Sequence, residues 1–215
     1  MPEFTVIAGP TGAGKTTFAE PLSPPHALVF NPDAVWDSIQ KKFPGLGWLE
    51  TEMELRKIYK NYELSALGTR QHLIVESNMR GTSLVDSAAH FKKQGYQTGL
   101  IFILLADVDH AFSRANSRVK QDNDIAHAGS IINNFEESVR RLRQIAGRFE
   151  YLMLLDGSIK SGMAPPVLLA TYKDHKLLFE NSQIPDWATP ILNDIKAIME
   201  VEAERDQCFY PYQRK

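Results

Sequence analysis

Gly9-Pro10-Thr11-Gly12-Ala13-Gly14-Lys15-Thr16 is the stretch on which the reading of this chain turns. It satisfies G-x-x-x-x-G-K-S/T, the Walker A phosphate-binding loop, and each part has a physical reason. Gly9, Gly12 and Gly14 let the backbone approach phosphate closely with its N–H groups turned inward. Lys15 carries a point charge on a long stem that reaches the β- and γ-phosphates, and Thr16 offers a hydroxyl to Mg²⁺. Pro10, Thr11, Ala13 and Thr17 complete the loop and the first helical turn, whose dipole favours anions. The apolar run at 4–8 leads into the loop, and residues 15–22 continue it as a helix. Strand, loop and helix in that order is the context the motif needs. Gly9 through Thr17 are therefore the candidate nucleotide-binding residues, with ATP and Mg²⁺ as the ligands implied.

Working outward, apolar runs alternate with helical patterns, which predicts βαβ units and a parallel sheet with helices on both faces. Expected strands lie at 4–8, 27–30, 73–76, 98–105 and 151–155. They read as continuous apolar runs, as strands covered on both faces do. Three helical stripes lie among them: Val108, Phe112, Ala115, Val119; Ile132, Phe135, Val139, Leu142, Ala146, Phe149; and Leu55, Ile58, Tyr59, Tyr62, Ala66. A further helix is expected over 83–94, stopping at Gly95. The last sixty or so residues differ: 167–172 and 176–180 flank Lys173-Asp174-His175 as a hairpin, and 186–204 reads as a helix. The expectation is one domain over 1–215, with its core at 1–160 and a C-terminal hairpin and helix over 161–208.

Composition narrows the function. The chain has 215 residues, 43% hydrophobic and 23% charged, with formal net charge −2. That balance fits a globular α/β protein and counts against a general nucleic-acid binder or a membrane-surface protein. No apolar run is long enough for a membrane span. The start, Met1-Pro2-Glu3, lacks signal-peptide features, and one cysteine, Cys208, fits a reducing compartment. A cytoplasmic location is expected. The histidines are scattered, so no structural metal is expected.

In open α/β sheets, ligands bind beyond the carboxyl ends of the strands. The polar residues after each apolar run are therefore the candidates. Asn31-Pro32-Asp33 follows the second run and also reads as an ordinary helix start. At that sheet edge the Asp33 carboxylate is in place to bind substrate and accept a proton from an attacking hydroxyl. Glu76-Ser77-Asn78-Met79-Arg80 follows the third run. Glu76, Asn78 and Arg80 are candidate substrate contacts. Glu76 either pairs with a buried cation or meets substrate, or Mg²⁺ through water. Asp107 follows the fourth run and Asp156-Gly157-Ser158 the fifth. Arg114 and Arg118 stand at i, i+4 beside a polar stretch, Gln121-Asp122-Asn123-Asp124. Such a pair is either a solvated face or, next to a lid, a clamp on the transferred phosphoryl group. Arg140, Arg141 and Arg143 are explained by ion pairs with Glu136 and Glu137 four residues before the first two.

Taken together, the phosphate loop, Asn-Pro-Asp, Glu-Ser and two lid arginines resemble the zeta-toxin-like P-loop kinases. The likeness is strongest to the small stand-alone bacterial branch known as predicted ATPases, and covers about residues 1 to 160. It implies a kinase-type sheet with the Glu76 strand beside the phosphate-loop strand. It also implies ATP and Mg²⁺ use, and phosphorylation of a hydroxyl on a small metabolite. Zeta toxins proper phosphorylate UDP-N-acetylglucosamine. There are three departures. Asp122-Asn123-Asp124 stand where the branch carries Gly-Gly-His, Asn134 where a further arginine is expected, and Trp36 where zeta toxins often have arginine.

Three readings follow. The first is an ATP-dependent kinase for a small-molecule hydroxyl, with Lys15, Asp33, Arg118 and Arg114 as its catalytic set. The second is a polynucleotide 5′-hydroxyl kinase, which the lack of a basic stripe counts against. The third is a nucleotide-binding regulatory module with weak ATPase, which the altered lid favours. Neither oligomeric state nor an antitoxin partner is legible.

Overall fold

The computed structural model describes residues 1–79, 81, 83–116, 125–158 and 165–209, with side chains described except at 113–116, 125–128 and 207–209. The elements run β1 (Glu3–Ala8), α1 (Lys15–Leu22), β2 (Leu28–Phe30), α2 (Pro32–Lys42), α3 (Trp48–Thr69), β3 (Leu73–Ser77) and α4 (Ser83–Lys93). They continue with β4 (Gln97–Leu104), α5 (Val108–Asn116), α6 (Ile125–Ile145), β5 (Tyr151–Asp156), β6 (Val167–Lys173), β7 (Lys176–Glu180) and α7 (Thr189–Phe209).

All seven strands form one sheet in the order β2-β3-β1-β4-β5-β6-β7. The first five pair in parallel, and β6 and β7 add on antiparallel. The Glu76 strand does lie beside the phosphate-loop strand, with Ile7 opposite Glu76. The fold is thus a P-loop, kinase-type α/β sheet with helices on both faces.

The pleat of β1 divides the core. Phe4, Val6 and Ala8 face a cluster with Ala66, Phe91, Leu142 and Ile195, while Ile7 faces Ala13, Ala19, Ile103 and Ala111. Both faces of β1 are therefore covered from Phe4 to Ala8, with Thr5 the polar member of that buried run. Phe4 stacks on Phe91 with centroids 4.6 Å apart.

Several boundaries differ from expectation. The hairpin joins the main sheet: β6 pairs with β5 and carries β7 outward. Its turn residues Asp174 and His175 have φ of 47° and 63°, which suits a two-residue hairpin turn. The last helix starts at Thr189 and not at 186, because Pro185 to Ala188 form a turn closed by Ala188 N–H on the Pro185 carbonyl at 2.9 Å. Pro190 then falls in the first helical turn, where its missing N–H costs nothing. The stripe from Leu55 to Ala66 belongs to a longer helix, the 22-residue α3.

Candidate active site

The site is built where β1, β2 and β3 end together. Gly12 holds φ 82°, and a Cβ there would stand 2.7 Å from the Ala111 carbonyl oxygen of α5. Only glycine suits both the backbone angle and the space. Gly157, after β5, closes the back of the loop. A Cβ on it would meet Ile103 Cγ2 at 2.7 Å and the Ala13 carbonyl at 3.1 Å.

Lys15 opens α1 and is 9% exposed. Its ammonium donates to the carbonyls of Gly9 and Pro10, each at 3.0 Å. Thr16, one residue on, is exposed. Its hydroxyl donates to Glu76 Oε2 at 2.7 Å. Asn31 Nδ2 donates to Glu76 Oε1 at 2.9 Å and to Thr16 Oγ1 at 3.3 Å, while its Oδ1 caps α2 by accepting from Ala34 N–H at 3.0 Å. Glu76 is 5% exposed. Its burial is thus offset by hydrogen bonds from a hydroxyl and an amide at the mouth of the phosphate loop.

Hydroxyl and carboxylate oxygens are hard donors, the kind Mg²⁺ takes one or two of while keeping water and phosphate oxygens. Thr16 and Glu76 therefore fit the ion the motif implies. Among the described residues, no group of three or more His, Cys, Asp or Glu could hold a metal ion by itself.

Two hollows meet here. A small one of about 60 Å³ is lined by Thr11, Gly12, Gly14, Lys15 and Thr16. A cleft of about 480 Å³ lies between α2, α3 and the end of β3. The two share Pro32, Asp33, Glu76, Ser77 and Asn78. Asp33 is exposed and faces both. The cleft is also lined by Trp36, Trp48, Leu55 and Tyr59, with Glu52 and Arg56 paired at 2.9 Å. Trp36 and Trp48 lie 6.3 Å apart, centroid to centroid. Burial pushes the Tyr59 hydroxyl well above its ordinary range, and it donates to Ser87 Oγ at 3.0 Å. It stays protonated at neutral pH and is no base for this cleft.

Of the residues singled out in the sequence, Thr11, Gly12, Gly14, Lys15, Thr16, Asp33, Glu76 and Asn78 line one hollow, with Gly9 and Pro10 tied to it through Lys15. Arg80, Arg118 and the stretch 121–124 lie outside the described residues. Arg114 is on α5, its side chain outside the described set. The acidic edge is less unified than its sequence positions suggest. Asp107 Oδ1 caps α5 by accepting from His110 N–H at 2.9 Å, and Asp156 Oδ1 accepts from Ser158 N–H at 2.7 Å. Arg140 pairs with Glu137 and not Glu136, Arg141 shares Glu137, and Arg143 reaches Asp194 on α7.

Sequence reasoning missed the second role of Asn31 and the cleft wall. Leu55 and Tyr59 read as core because they keep helical period with true core residues. It also missed that Asn134 bonds to Thr11 and Asn78.

Comparison with known proteins agrees with the fold. The family model described as Zeta toxin matches residues 1–159. A search of curated proteins finds no match. Among solved structures, the chain is similar to one from the PezAT toxin-antitoxin system of Streptococcus pneumoniae, at 15% identity and TM-score 0.56, covering 95% of this chain and 86% of that one. It is similar to a putative kinase from Chloroflexus aurantiacus at 19% identity and TM-score 0.51, covering 76% and 92%. A structure of AvrRxo1-ORF1:-ORF2 with ATP matches at 11% identity and TM-score 0.51, covering 95% and 76%.

Proposed function

The chain belongs to the zeta toxin family, and on that premise we propose that it is an ATP-dependent kinase that moves the γ-phosphate to a hydroxyl of a small metabolite seated in the 480 Å³ cleft. One observation carries the reading: Asp33, Glu76 and Asn78 line both the phosphate hollow and the cleft, so donor and acceptor would meet beside the Asp33 carboxylate.

In this mechanism the loop amides and Lys15 would hold the triphosphate, Thr16 would ligate Mg²⁺, and Glu76 would reach the ion through water. The ion, when bound, neutralises charge on the β- and γ-phosphates. Asp33 accepts the proton of the acceptor hydroxyl as that oxygen bonds to phosphorus, and the bond from phosphorus to the ADP oxygen breaks. Arg118 and Arg114 are assigned to the charge of the transferred group. Trp36 and Trp48 offer flat apolar faces, suited to a ring of the acceptor. A UDP-N-acetyl sugar is the first acceptor to try. The reaction belongs in the cytoplasm, and the PezAT likeness makes a protein antitoxin a partner to seek.

The altered lid residues Asp122-Asn123-Asp124 favour one further reading, a nucleotide-binding module with weak turnover. Phosphoryl transfer and ATP affinity, measured together, separate the two. Asp33→Asn should slow transfer by about 10²–10⁴ with ATP affinity nearly unchanged. Arg118→Ala should likewise slow transfer far more than it weakens ATP binding. Wild-type transfer rates in both variants would remove Asp33 and Arg118 from the mechanism, whereas ATP binding without transfer in the parent would leave the module.

A further inference from the structure

Asn134 lies on α6, more than fifty residues from either loop that it touches. Its side chain is 5% exposed. Its Oδ1 accepts from Thr11 N–H at 2.7 Å and from Thr11 Oγ1 at 2.9 Å. Its Nδ2 donates to the Asn78 carbonyl at 3.1 Å. A side-chain amide oxygen has two lone pairs. Both are taken by one residue of the phosphate loop, while the nitrogen holds the wall of the cleft.

That wall is stiff. Met79, next to Asn78, holds φ 54° with its side chain 1% exposed, and its N–H donates to Ser77 Oγ at 2.9 Å. A non-glycine residue in the left-handed region is strained, and persists only where its surroundings fix it. Thr11 is equally fixed, since moving it alone would leave buried amide atoms unpartnered. A shift at Thr11 therefore passes through one rigid amide plane to Asn78.

We infer that Asn134 is a positioning residue that couples the phosphate loop to the acceptor wall, so that nucleotide bound at the loop sets the position of the Asn78 segment. The inference rests on the kinase reading above. It is separate from the tie through Asn31, which runs from Thr16 and Glu76 to α2 and remains when Asn134 is changed.

The test places a reporter on the wall. Cys208→Ser removes the one cysteine. Gly81 lines the cleft, is exposed, and a Cβ on it would meet nothing within 4 Å. Gly81→Cys can thus carry an environment-sensitive fluorophore. Emission is read while the full chain is titrated with the non-hydrolysable analogue AMP-PNP and Mg²⁺, and affinity is measured separately by calorimetry. With Asn134 present, saturating nucleotide should change the emission. Asn134→Ala should still bind nucleotide, within about tenfold, and lose more than half of that change. Should Asn134→Ala fail to fold, Thr11→Val, which removes only the hydroxyl bond, is judged by a smaller loss of the same signal. An undiminished signal in the variant, or none in the parent despite binding, overturns the coupling alone. Absence of nucleotide binding in the parent overturns the kinase reading and the coupling with it.

Discussion

At the residue scale, Lys15 has a structural share as well as a functional one. Its stem is buried, and its ammonium ties the Gly9 and Pro10 carbonyls together. From sequence alone it reads as a charge that reaches the phosphates, and the geometry adds a role inside the loop. Lys15→Ala should abolish ATP-Mg²⁺ binding and also destabilise the protein by about 1–3 kcal/mol, since hydrogen bonds to a charged donor are lost from a buried place. Calorimetry with ATP and a thermal melt on one preparation check both halves. Unchanged melting would mean that the loop keeps its shape without the ammonium. The contrast shows which residues were legible. The loop, Asp33 and Glu76 stand at fixed offsets from apolar runs, and such offsets survive translation into space. Asn134 does not. Its partners lie more than fifty residues away, and nothing in the sequence around it marks an amide that bridges two loops.

At the scale of elements, helix starts do much of the placing. Asn31 caps α2 and in doing so aims its amide nitrogen at Glu76 and Thr16. The start of α5 is held by Asp107, which accepts from both the backbone and the ring of His110, the ring contact being 2.7 Å. Those bonds, the ring contact first, keep the Asp107 carboxyl below the ordinary carboxylate range. A carboxyl whose pKa falls on folding adds stability above its unfolded value, about 3.9, and loses it as pH drops through the lower folded value. Asp107→Ala should therefore lower the melting temperature at neutral pH, by the equivalent of about 0.5–2 kcal/mol for a lost cap. The gap to wild type should narrow as pH falls below about 4. Melts across pH 2–8 would show it, and a gap that stays constant would assign the effect to helix propensity. Strands of the first half were readable because their apolar runs are continuous, and α2 because Asn31 and Pro32 mark its start. The length of α3 was not, since Trp48, Leu49 and Met53 lie on its exposed first turns and break the periodic stripe.

At the scale of the whole molecule, the sheet was legible as parallel, but its extent was not. Val167–Lys173 and Lys176–Glu180 announced a hairpin through local turn chemistry. That β6 would lie antiparallel on β5 depends on a pairing between segments that sequence pattern does not connect. The resulting sheet ends on two open sides. One is β2, only three residues long. The other is β7, where Leu178 is the extra residue between the Thr171–Phe179 and Tyr172–Leu177 pairs, and where Lys176 and Glu180 bracket three apolar side chains. Shortness on one side and a kinked, charge-bracketed strand on the other are means by which sheets refuse to extend into their neighbours. This makes β7 a guard against self-association in concentrated solution, and its two charges the inexpensive part of that guard. Lys176→Val together with Glu180→Val should leave the chain folded but bring on light scattering at lower protein concentration than wild type. If the double variant stays as clear as the parent, the backbone kink at Leu178 is protection enough, and the chain can be concentrated and tagged at that side without regard to its charge.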